Sequence, residues 1–165
     1  MTGIPTEASI LDMVERAMPG RVQNVYAHSS GGGKFIAVIQ FKKTVPSDEG
    51  RQRQAALLAF SAFPELKQVI LVDEDVDIFD TNDVLWAMTT RMQADVDIVT
   101  IPGVRCHPLD PSNDPACSWS IRDHGIACKT IYDATVPFNQ KARFQRAKFM
   151  EVDVKKFLPD FTVQD

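Results

Sequence analysis

Hydrophobic and polar positions along the chain alternate between a helical and an extended period. Apolar residues recur three and four positions apart in three segments, which predicts helices over residues 7–18, 48–63 and 81–92. Short β-branched or alternating runs predict strands over residues 22–27, 35–41, 68–72, 96–101 and 128–136. Because single helices separate most of these strands, the order predicts a three-layer α/β/α sandwich with a mostly parallel mixed sheet.

The predicted helices begin at residues whose side-chain oxygens accept hydrogen bonds from first-turn amides. Thr6 is the predicted cap of the first helix, Ser47 of the second, and either Asp80 or Thr81 of the third. We therefore expect these side chains to stabilise helix ends.

Length and charge limit the classes of protein that remain. The chain has 165 residues and a net charge of −4, and no linker or repeat divides it, so a single domain over residues 1–165 is expected. The acidic balance disfavours nucleic acid and acidic membranes as partners, because both attract clustered lysine and arginine. No long apolar run or signal sequence is apparent, which indicates a cytoplasmic protein. Three cysteines without a CxxC pair indicate reduced thiols.

The last part of the chain is rich in phenylalanine among basic residues. This phenylalanine-rich tail carries Phe138, Phe144, Phe149, Phe157 and Phe161. Exposed aromatic side chains are unfavourable in water, so the tail is expected to dock on its own core or on a partner subunit.

Two segments imitate ligand-binding loops. The stretch from Ser29 to Lys34 contains three glycines and a lysine, as phosphate loops do, but a strand follows it and a hairpin turn is the favoured interpretation. The acidic run holds carboxylates at calcium-loop spacing, yet Ile78 and Val84 replace the glycine and glutamate that such a loop requires. We therefore expect the run, which comprises Asp73, Glu74, Asp75, Asp77, Asp80 and Asp83, to be structural and to hold no metal ion.

A polar cluster follows the predicted strand over residues 96–101. The cluster lies after the carboxyl end of that strand, where open α/β sheets usually bind ligands, and comprises Cys106, His107, Pro108, Leu109, Asp110 and Pro111. Histidine is suited to proton transfer near neutral pH. A Cys106–His107 nucleophile pair is disfavoured, because adjacent residues on an extended segment point to opposite sides. On spacing alone, an ordinary loop histidine remains the favoured interpretation.

Longer stretches of sequence resemble a known family. The resemblance rests on VILVDEDVDIFDTNDVLWAMTTRM and IPGVRCHPLDPS, which are similar to the C-terminal domain of the UbiD family of prenylated-FMN-dependent aromatic acid decarboxylases. GIPTEASILDMVERAMPGRVQNVYAHSSGGGKF, KKTVPSDEGRQRQAAL, GIACKTIYDATVPF and FMEVD resemble its hydroxybenzoate branch. In that branch we expect Gly-His-Gln-Leu where this chain has Cys106-His107-Pro108-Leu109, so the exact acid stays open.

The resemblance implies a role for four residues and a division of labour within a longer enzyme. It implies that His107 positions the substrate or transfers a proton, that Lys34 and Pro108 line the pocket, and that Leu109 forms an apolar wall. Prenylated FMN, a divalent metal ion and potassium as a further candidate would belong to the preceding N-terminal regions. The isolated chain is therefore expected to be inactive and to bind none of these groups.

The implied function is that of the C-terminal oligomerisation and substrate-pocket domain of a reversible decarboxylase. Its substrates would be hydroxylated aromatic acids such as protocatechuate or 4-hydroxybenzoate, and its partners would be further subunits and the missing flavin-binding regions. The alternative is a free-standing, noncatalytic assembly or regulatory subunit of a larger decarboxylase.

Overall fold

The chain folds around one mixed β-sheet. The computed structural model describes residues 3–108, 110–113, 116, 125–147 and 154–157. Within that part of the chain the strands are β1 (Val22–Ala27), β2 (Ile36–Phe41), β3 (Gln68–Val72), β4 (Ile98–Arg105) and β5 (Ile126–Ala134). Their spatial order is β1-β2-β3-β5-β4. The central strands β2, β3 and β5 are parallel, whereas β1 and β4 pair antiparallel at the two sides. The predicted mixed sheet is confirmed, with its parallel part in the middle.

Helices cover both faces of this sheet, which gives the three predicted layers. The helices are α1 (Gly3–Ala17), α2 (Arg51–Ala62), α3 (Thr81–Arg91), α4 (Ala94–Asp97) and α5 (Val154–Phe157). Alternate residues of β2 point to opposite faces, so Ile39 joins the cluster beneath α1 and α2 while Val38 joins the cluster beneath α3. Both side chains are almost completely buried. No helix in the described ranges is long and apolar enough to cross a membrane.

The first helix starts earlier than predicted, and Thr6 is not its cap. Helix α1 begins at Gly3, so Thr6 lies inside the first turn with its side chain buried. Pro5 favours this early start, because proline has its dihedral angle preset for a first helical turn. The Thr6 hydroxyl donates instead to the carbonyl oxygen of Gly33 at 3.0 Å. Thr6 thus ties α1 to the turn between β1 and β2.

The second helix starts later than predicted, and Ser47 is not its cap. Residues Pro46–Asp48 form a 3-10 turn, and Gly50 then adopts a left-handed conformation with φ of 88° before α2 begins at Arg51. The buried carboxylate of Asp48 accepts hydrogen bonds from the backbone N–H groups of Thr44 at 2.8 Å and Val45 at 3.1 Å. Asp48 therefore closes the turn that Ser47 was expected to cap.

The third helix follows the prediction. Asp80 is the N-cap of α3, and its carboxylate accepts a hydrogen bond from the backbone N–H of Asn82 at 2.9 Å.

The strand expected from Val96 begins only at Ile98, because residues Ala94–Asp97 form a short helix. Gln93 donates its backbone N–H to Asp97 at 2.8 Å, which stabilises that helical turn.

The phenylalanine-rich tail is described only in part. Phe138 lies half-buried at the start of a 3-10 segment, Phe144 is exposed by 36% and Phe157 by 69%, while Phe149 and Phe161 lie outside the described residues. Docking of this tail on a partner subunit stays a prediction. Cys106 and Cys128 carry free thiols, as expected, and Cys117 lies outside the described residues.

Candidate functional site

The direction of β4 decides where His107 lies. Arg105, the last residue of β4, pairs with Ile126, the first residue of β5. His107 therefore lies at the amino edge, the end of the sheet at which β2, β3 and β5 begin. The sequence placed it at the carboxyl ends of parallel strands, and this expectation is wrong because β4 runs antiparallel to its one neighbour in the sheet, β5.

Lys34 reaches the same edge from the turn between β1 and β2. The predicted hairpin is confirmed, since β1 and β2 pair antiparallel and a 3-10 turn over Ser29–Gly31 joins them. Gly32 follows with a left-handed φ of 63°, a conformation that favours glycine. Nε2 of His28 lies 2.8 Å from Oγ1 of Thr81, which ties the turn to α3. Lys34 thus stands on a fixed turn directly before β2.

One carboxylate lies between the two predicted site residues. Oε1 of Glu65 is 3.1 Å from Nε2 of His107, and Oε2 of Glu65 is 3.9 Å from Nζ of Lys34. The side chain of His107 is only 12% exposed. The structure therefore brings together two residues that are far apart in sequence, around an acidic residue that the sequence did not single out.

Phe35 completes this group of side chains. Its ring meets the imidazole of His107 edge to face, with ring centroids 5.9 Å apart and an interplanar angle of 77°. The ammonium group of Lys34 lies 5.4 Å from the centroid of the Phe35 ring. The cluster thus combines a cation, a carboxylate, an imidazole and an aromatic face. These groups suit the recognition of an anionic, hydroxylated ring.

The backbone that carries Glu65 is anchored on both sides. Nζ of the buried Lys129 donates to the carbonyl oxygen of Pro64 at 2.8 Å, and the backbone N–H of Lys67 donates to the carbonyl oxygen of Phe35 at 2.8 Å. Leu66 between them is completely buried. Burial also lowers the pKa of Lys129, because an apolar environment disfavours the ammonium form. Glu65 is therefore an exposed side chain on a fixed segment.

Lys67 closes the other side of the cluster. Its Nζ lies 2.8 Å from Oδ2 of Asp110 and also contacts the hydroxyl of Ser112. Burial alone would raise the pKa of Asp110, but the hydrogen bonds from Lys67 and Ser112 lower it below its ordinary value. A cleft of about 250 Å³ opens beside this pair, lined by Ser30, Gly31, Phe35, Ile36, Lys67, Gln68 and Asp110.

The remaining predicted residues of the loop contribute less to this geometry. Cys106 is buried, and its Sγ contacts the carbonyl oxygen of His107 at 3.5 Å. Burial, followed by the nearby charge of Asp110, raises the pKa of the thiol, so Cys106 is a poor nucleophile. Pro108 is exposed, and Leu109 lies outside the described residues.

The acidic run lies at the opposite end of the sheet and takes part in ion pairs. The guanidinium group of Arg91 contacts Asp73 at 3.1 Å and Asp75 at 2.6 Å, and Arg146 contacts Asp83 at 2.7 Å. Within the described residues, no three histidine, cysteine or acidic side chains gather around a position for one metal ion. The contacts agree with the structural role expected for these carboxylates.

The fold has counterparts among known proteins. Residues 1–134 match the family described as the 3-octaprenyl-4-hydroxybenzoate carboxy-lyase C-terminal domain, the UbiD C-terminal domain. The chain therefore belongs to the UbiD family. This confirms the resemblance that the sequence motifs carry.

Individual relatives place the chain within the family. It is 59% identical over 160 residues to gallate decarboxylase from Lactiplantibacillus plantarum, a match that covers 96% of this chain and 33% of that enzyme. The apo structure of a 3,4-dihydroxybenzoic acid decarboxylase from Enterobacter cloacae is 64% identical with a TM-score of 0.86, over 96% of this chain and 32% of that one. These relatives belong to the hydroxybenzoate-type branch.

A more distant structure includes a flavin. The UbiD-class enzyme HmfF from Pelotomaculum thermopropionicum, solved in complex with FMN, is 33% identical with a TM-score of 0.80, over 96% of this chain and 33% of that one. The chain thus spans about a third of the length of the relatives it matches.

Proposed function

We propose that this chain forms the C-terminal oligomerisation and substrate-pocket domain of a UbiD-type reversible decarboxylase. Its substrates are hydroxylated aromatic acids such as protocatechuate (3,4-dihydroxybenzoate), gallate or 4-hydroxybenzoate. The observation that carries the proposal is the convergence of Lys34 and His107 on the carboxylate of Glu65. The relatives with the highest identity above act on gallate and 3,4-dihydroxybenzoate, which supports this substrate class.

The side chains of this chain bind and orient the acid. Lys34 supplies a compact positive charge that attracts an anionic carboxylate or phenolate. His107 offers an imidazole that donates to, or accepts from, a ring hydroxyl and transfers a proton near neutral pH. Phe35 and, by the family resemblance, Pro108 and Leu109 supply apolar walls that exclude water from the ring. Each of these roles is one of binding, orientation or proton transfer.

The electron chemistry belongs to a group held elsewhere in the enzyme. We assign prenylated FMN, together with a divalent metal ion and potassium as a further candidate, to regions of the complete enzyme outside this chain. The chemistry that a bound flavin would supply there is an acceptor for the electrons released as carbon dioxide departs. The side chains at the amino edge suit the binding of the acid, because Lys34 and His107 offer hydrogen-bond donors and Phe35 offers an aromatic face to its ring. The proposed domain therefore completes a pocket and does not hold the cofactor.

Decarboxylation assays on two preparations test the proposal. The first is the complete enzyme, meaning this chain preceded by the regions that its relatives carry, and the second is the 165-residue chain alone. Both are supplied with prenylated FMN and a panel of mono-, di- and trihydroxybenzoates, and loss of substrate is followed by chromatography. We expect turnover by the complete enzyme and none by the chain alone. A flavin-loaded complete enzyme that leaves the whole panel unchanged would refute the substrate class.

The same assay separates a pocket domain from an assembly or regulatory subunit. The preceding regions are prepared without this chain and assayed at equal flavin content. If this chain completes the pocket, turnover disappears with it. Full turnover by the preceding regions alone, with only the particle size changed, would favour the noncatalytic role.

A further inference from the structure

Both oxygens of the Glu65 carboxylate are engaged, and each contacts a different element. One oxygen lies 3.1 Å from Nε2 of His107, which follows β4, and the other lies 3.9 Å from Nζ of Lys34, which precedes β2. The two partners are far apart in the chain. A single side chain therefore sets the distance between the two groups expected to contact the substrate.

This arrangement has a consequence for the imidazole. An ionised carboxylate accepts hydrogen bonds and donates none, so it favours a ring form of His107 with hydrogen on the nitrogen that faces it. The Glu65 oxygen 3.1 Å from Nε2 thus favours hydrogen on that nitrogen, while the Phe35 ring packs edge to face against the same imidazole. The partner of one ring nitrogen commonly fixes the state of a functional histidine in this way.

The carboxylate acts on Lys34 through charge. A mobile lysine would spread its ammonium group over many rotamers, and a fixed opposite charge restricts that spread. The side chain of Glu65 is 37% exposed and that of Lys34 is 25% exposed, so solvent weakens the attraction between them. The attraction therefore positions the ammonium group of Lys34 more than it stabilises the fold.

We propose that Glu65 is a positioning residue of the substrate pocket, an inference that rests on the function proposed above. It holds the imidazole of His107 in one protonation form and the ammonium group of Lys34 at one place. Pro64 and Lys67, fixed by Lys129 and Phe35, keep the Glu65 backbone in register with both partners. Glu65 acts on the acid through Lys34 and His107.

Matched variants of the complete enzyme test this role. Glu65→Ala removes the acceptor, whereas Glu65→Gln keeps an amide oxygen that accepts from Nε2–H but removes the charge. Glu74→Gln is the control, because Glu74 forms a similar ion pair with Lys141 at 2.8 Å and is 36% exposed, but it lies beyond the opposite end of β3. All three are compared with wild type on 3,4-dihydroxybenzoate, with thermal unfolding recorded for each.

The expected order follows from the contacts. Misplacing reacting groups by about 1 Å costs on the order of 10²-fold, so Glu65→Ala is expected to lower kcat/KM by about that factor. Glu65→Gln should recover part of this loss, and Glu74→Gln should stay within about twofold of wild type. The triple variant Lys34→Ala/Glu65→Ala/His107→Ala should be no slower than Lys34→Ala/His107→Ala, because Glu65 acts on the acid only through these two partners.

A second measurement does not depend on turnover. Selective ¹⁵N labelling of histidine reports which ring nitrogen of His107 carries the proton. Glu65→Ala is expected to shift the His107 signals, and Glu74→Gln to leave them unchanged. A purely structural effect of Glu65 would lower the unfolding temperature without changing that pattern.

The outcomes separate this inference from the proposed function. An inactive wild-type enzyme with bound flavin overturns both. An active wild type whose Glu65→Ala variant keeps full kcat/KM and unchanged histidine signals overturns the positioning role alone. A triple variant far slower than Lys34→Ala/His107→Ala would show that Glu65 acts independently of both partners, which also contradicts the proposal.

Discussion

The ammonium group of Lys67 lies 2.8 Å from Oδ2 of Asp110 and joins the segment before β3 to the segment that carries His107. The backbone N–H of Asp110 donates to the carbonyl oxygen of His107 at 3.1 Å, and Oδ1 of Asp110 accepts from the backbone N–H of Ser112 at 3.0 Å. Asp110 thus holds the turn after His107 through both its backbone N–H and its carboxylate. The position of the imidazole depends on this turn as well as on Glu65.

Removal of Asp110 should loosen that turn. Asp110→Ala leaves the partly buried Lys67 without its carboxylate, and loss of a charged hydrogen-bond partner costs about 1–3 kcal/mol of the free energy of unfolding. We expect this loss in urea unfolding. Asp12→Ala is the control, because Asp12 forms an exposed pair with Arg16 one helical turn away. Equal stabilities of the two variants would contradict the role of Asp110.

His107 and Lys34 should affect different kinetic parameters in the complete enzyme. His107→Ala should lower kcat by about 10²–10⁴-fold, the usual scale for a positioned acid or base. Lys34→Ala should chiefly raise KM, because the attraction of Lys34 to the carboxylate of the substrate acts alike on the ground state and the transition state. Steady-state kinetics on a hydroxybenzoate panel measures both. Unchanged kinetics for His107→Ala would reduce the Cys106–Leu109 segment to a structural loop.

Arg91 should be essential for stability. Its side chain is 2% exposed and contacts the buried carboxylate of Asp73 at 3.1 Å, and removal of one partner of a buried pair costs about 3–5 kcal/mol. Thermal or urea unfolding of Arg91→Ala should show this loss. The control is Arg16→Ala, whose exposed pair with Asp12 contributes about 0.5 kcal/mol or less. A loss as small as that of the control would show that Asp73 finds another partner.

Asp48 should make the fold sensitive to acid. Burial alone would raise its pKa, but hydrogen bonds from Thr44, Val45 and Arg21 outweigh it and lower the pKa from 3.8 to about 2. A pKa lowered by folding stabilises the protein above pH 3.8, and this contribution disappears as the pH falls from about 4 to about 2.

Asp48→Asn should therefore reduce the difference between the free energies of unfolding at about pH 6 and about pH 2, which urea unfolding at both pH values measures. It should also destabilise the protein at neutral pH by about 0.5–2 kcal/mol, as the loss of a helix-end acceptor does. An unchanged pH profile would show that the Asp48 carboxylate is not responsible.

The phenylalanine-rich tail should drive self-association. Phe138 is half-buried and Phe144 is 36% exposed, while Phe149 lies outside the described residues. Exposed aromatic surface favours an interface between subunits, so sedimentation of the chain should show a dimer or a larger oligomer. Phe144→Ser should shift the equilibrium towards monomer. A chain that sediments as a monomer at tens of micromolar would contradict the predicted self-association.

The sheet could be predicted because its strands are encoded locally. The run at residues 22–27 alternates in burial and the run at residues 68–72 is mostly apolar and buried, and they form β1 and β3 with those bounds. The start of α2 could not be predicted in the same way. Ser47 is a suitable cap residue, but the left-handed Gly50 shifts the helix start to Arg51. Local helix propensity allows a start after Ser47 as well as a start at Arg51, and the turn closed by Asp48 determines which of the two forms.

The candidate site was only partly accessible from sequence. The motif resemblance pointed to Lys34 and His107, and the structure brings both to one edge of the sheet. Glu65 was missed because its partners come from two other loops, and no spacing rule relates such positions. A charged residue beside the buried Leu66, directly before a central strand, was the available signal. The direction of β4 depends on pairing, which periodicity does not report.

The reversed direction of β4 makes the two ends of the sheet separately adjustable for protein engineering. Loops at the amino edge present Lys34, Glu65 and His107, so under the proposed function a mutant library confined there would vary substrate choice. At the far end, Arg91 and Asp73 fasten α3 to the sheet, and a tag or reporter inserted near that pair would threaten folding. A directed-evolution effort should therefore randomise the first set of loops and leave the second unchanged.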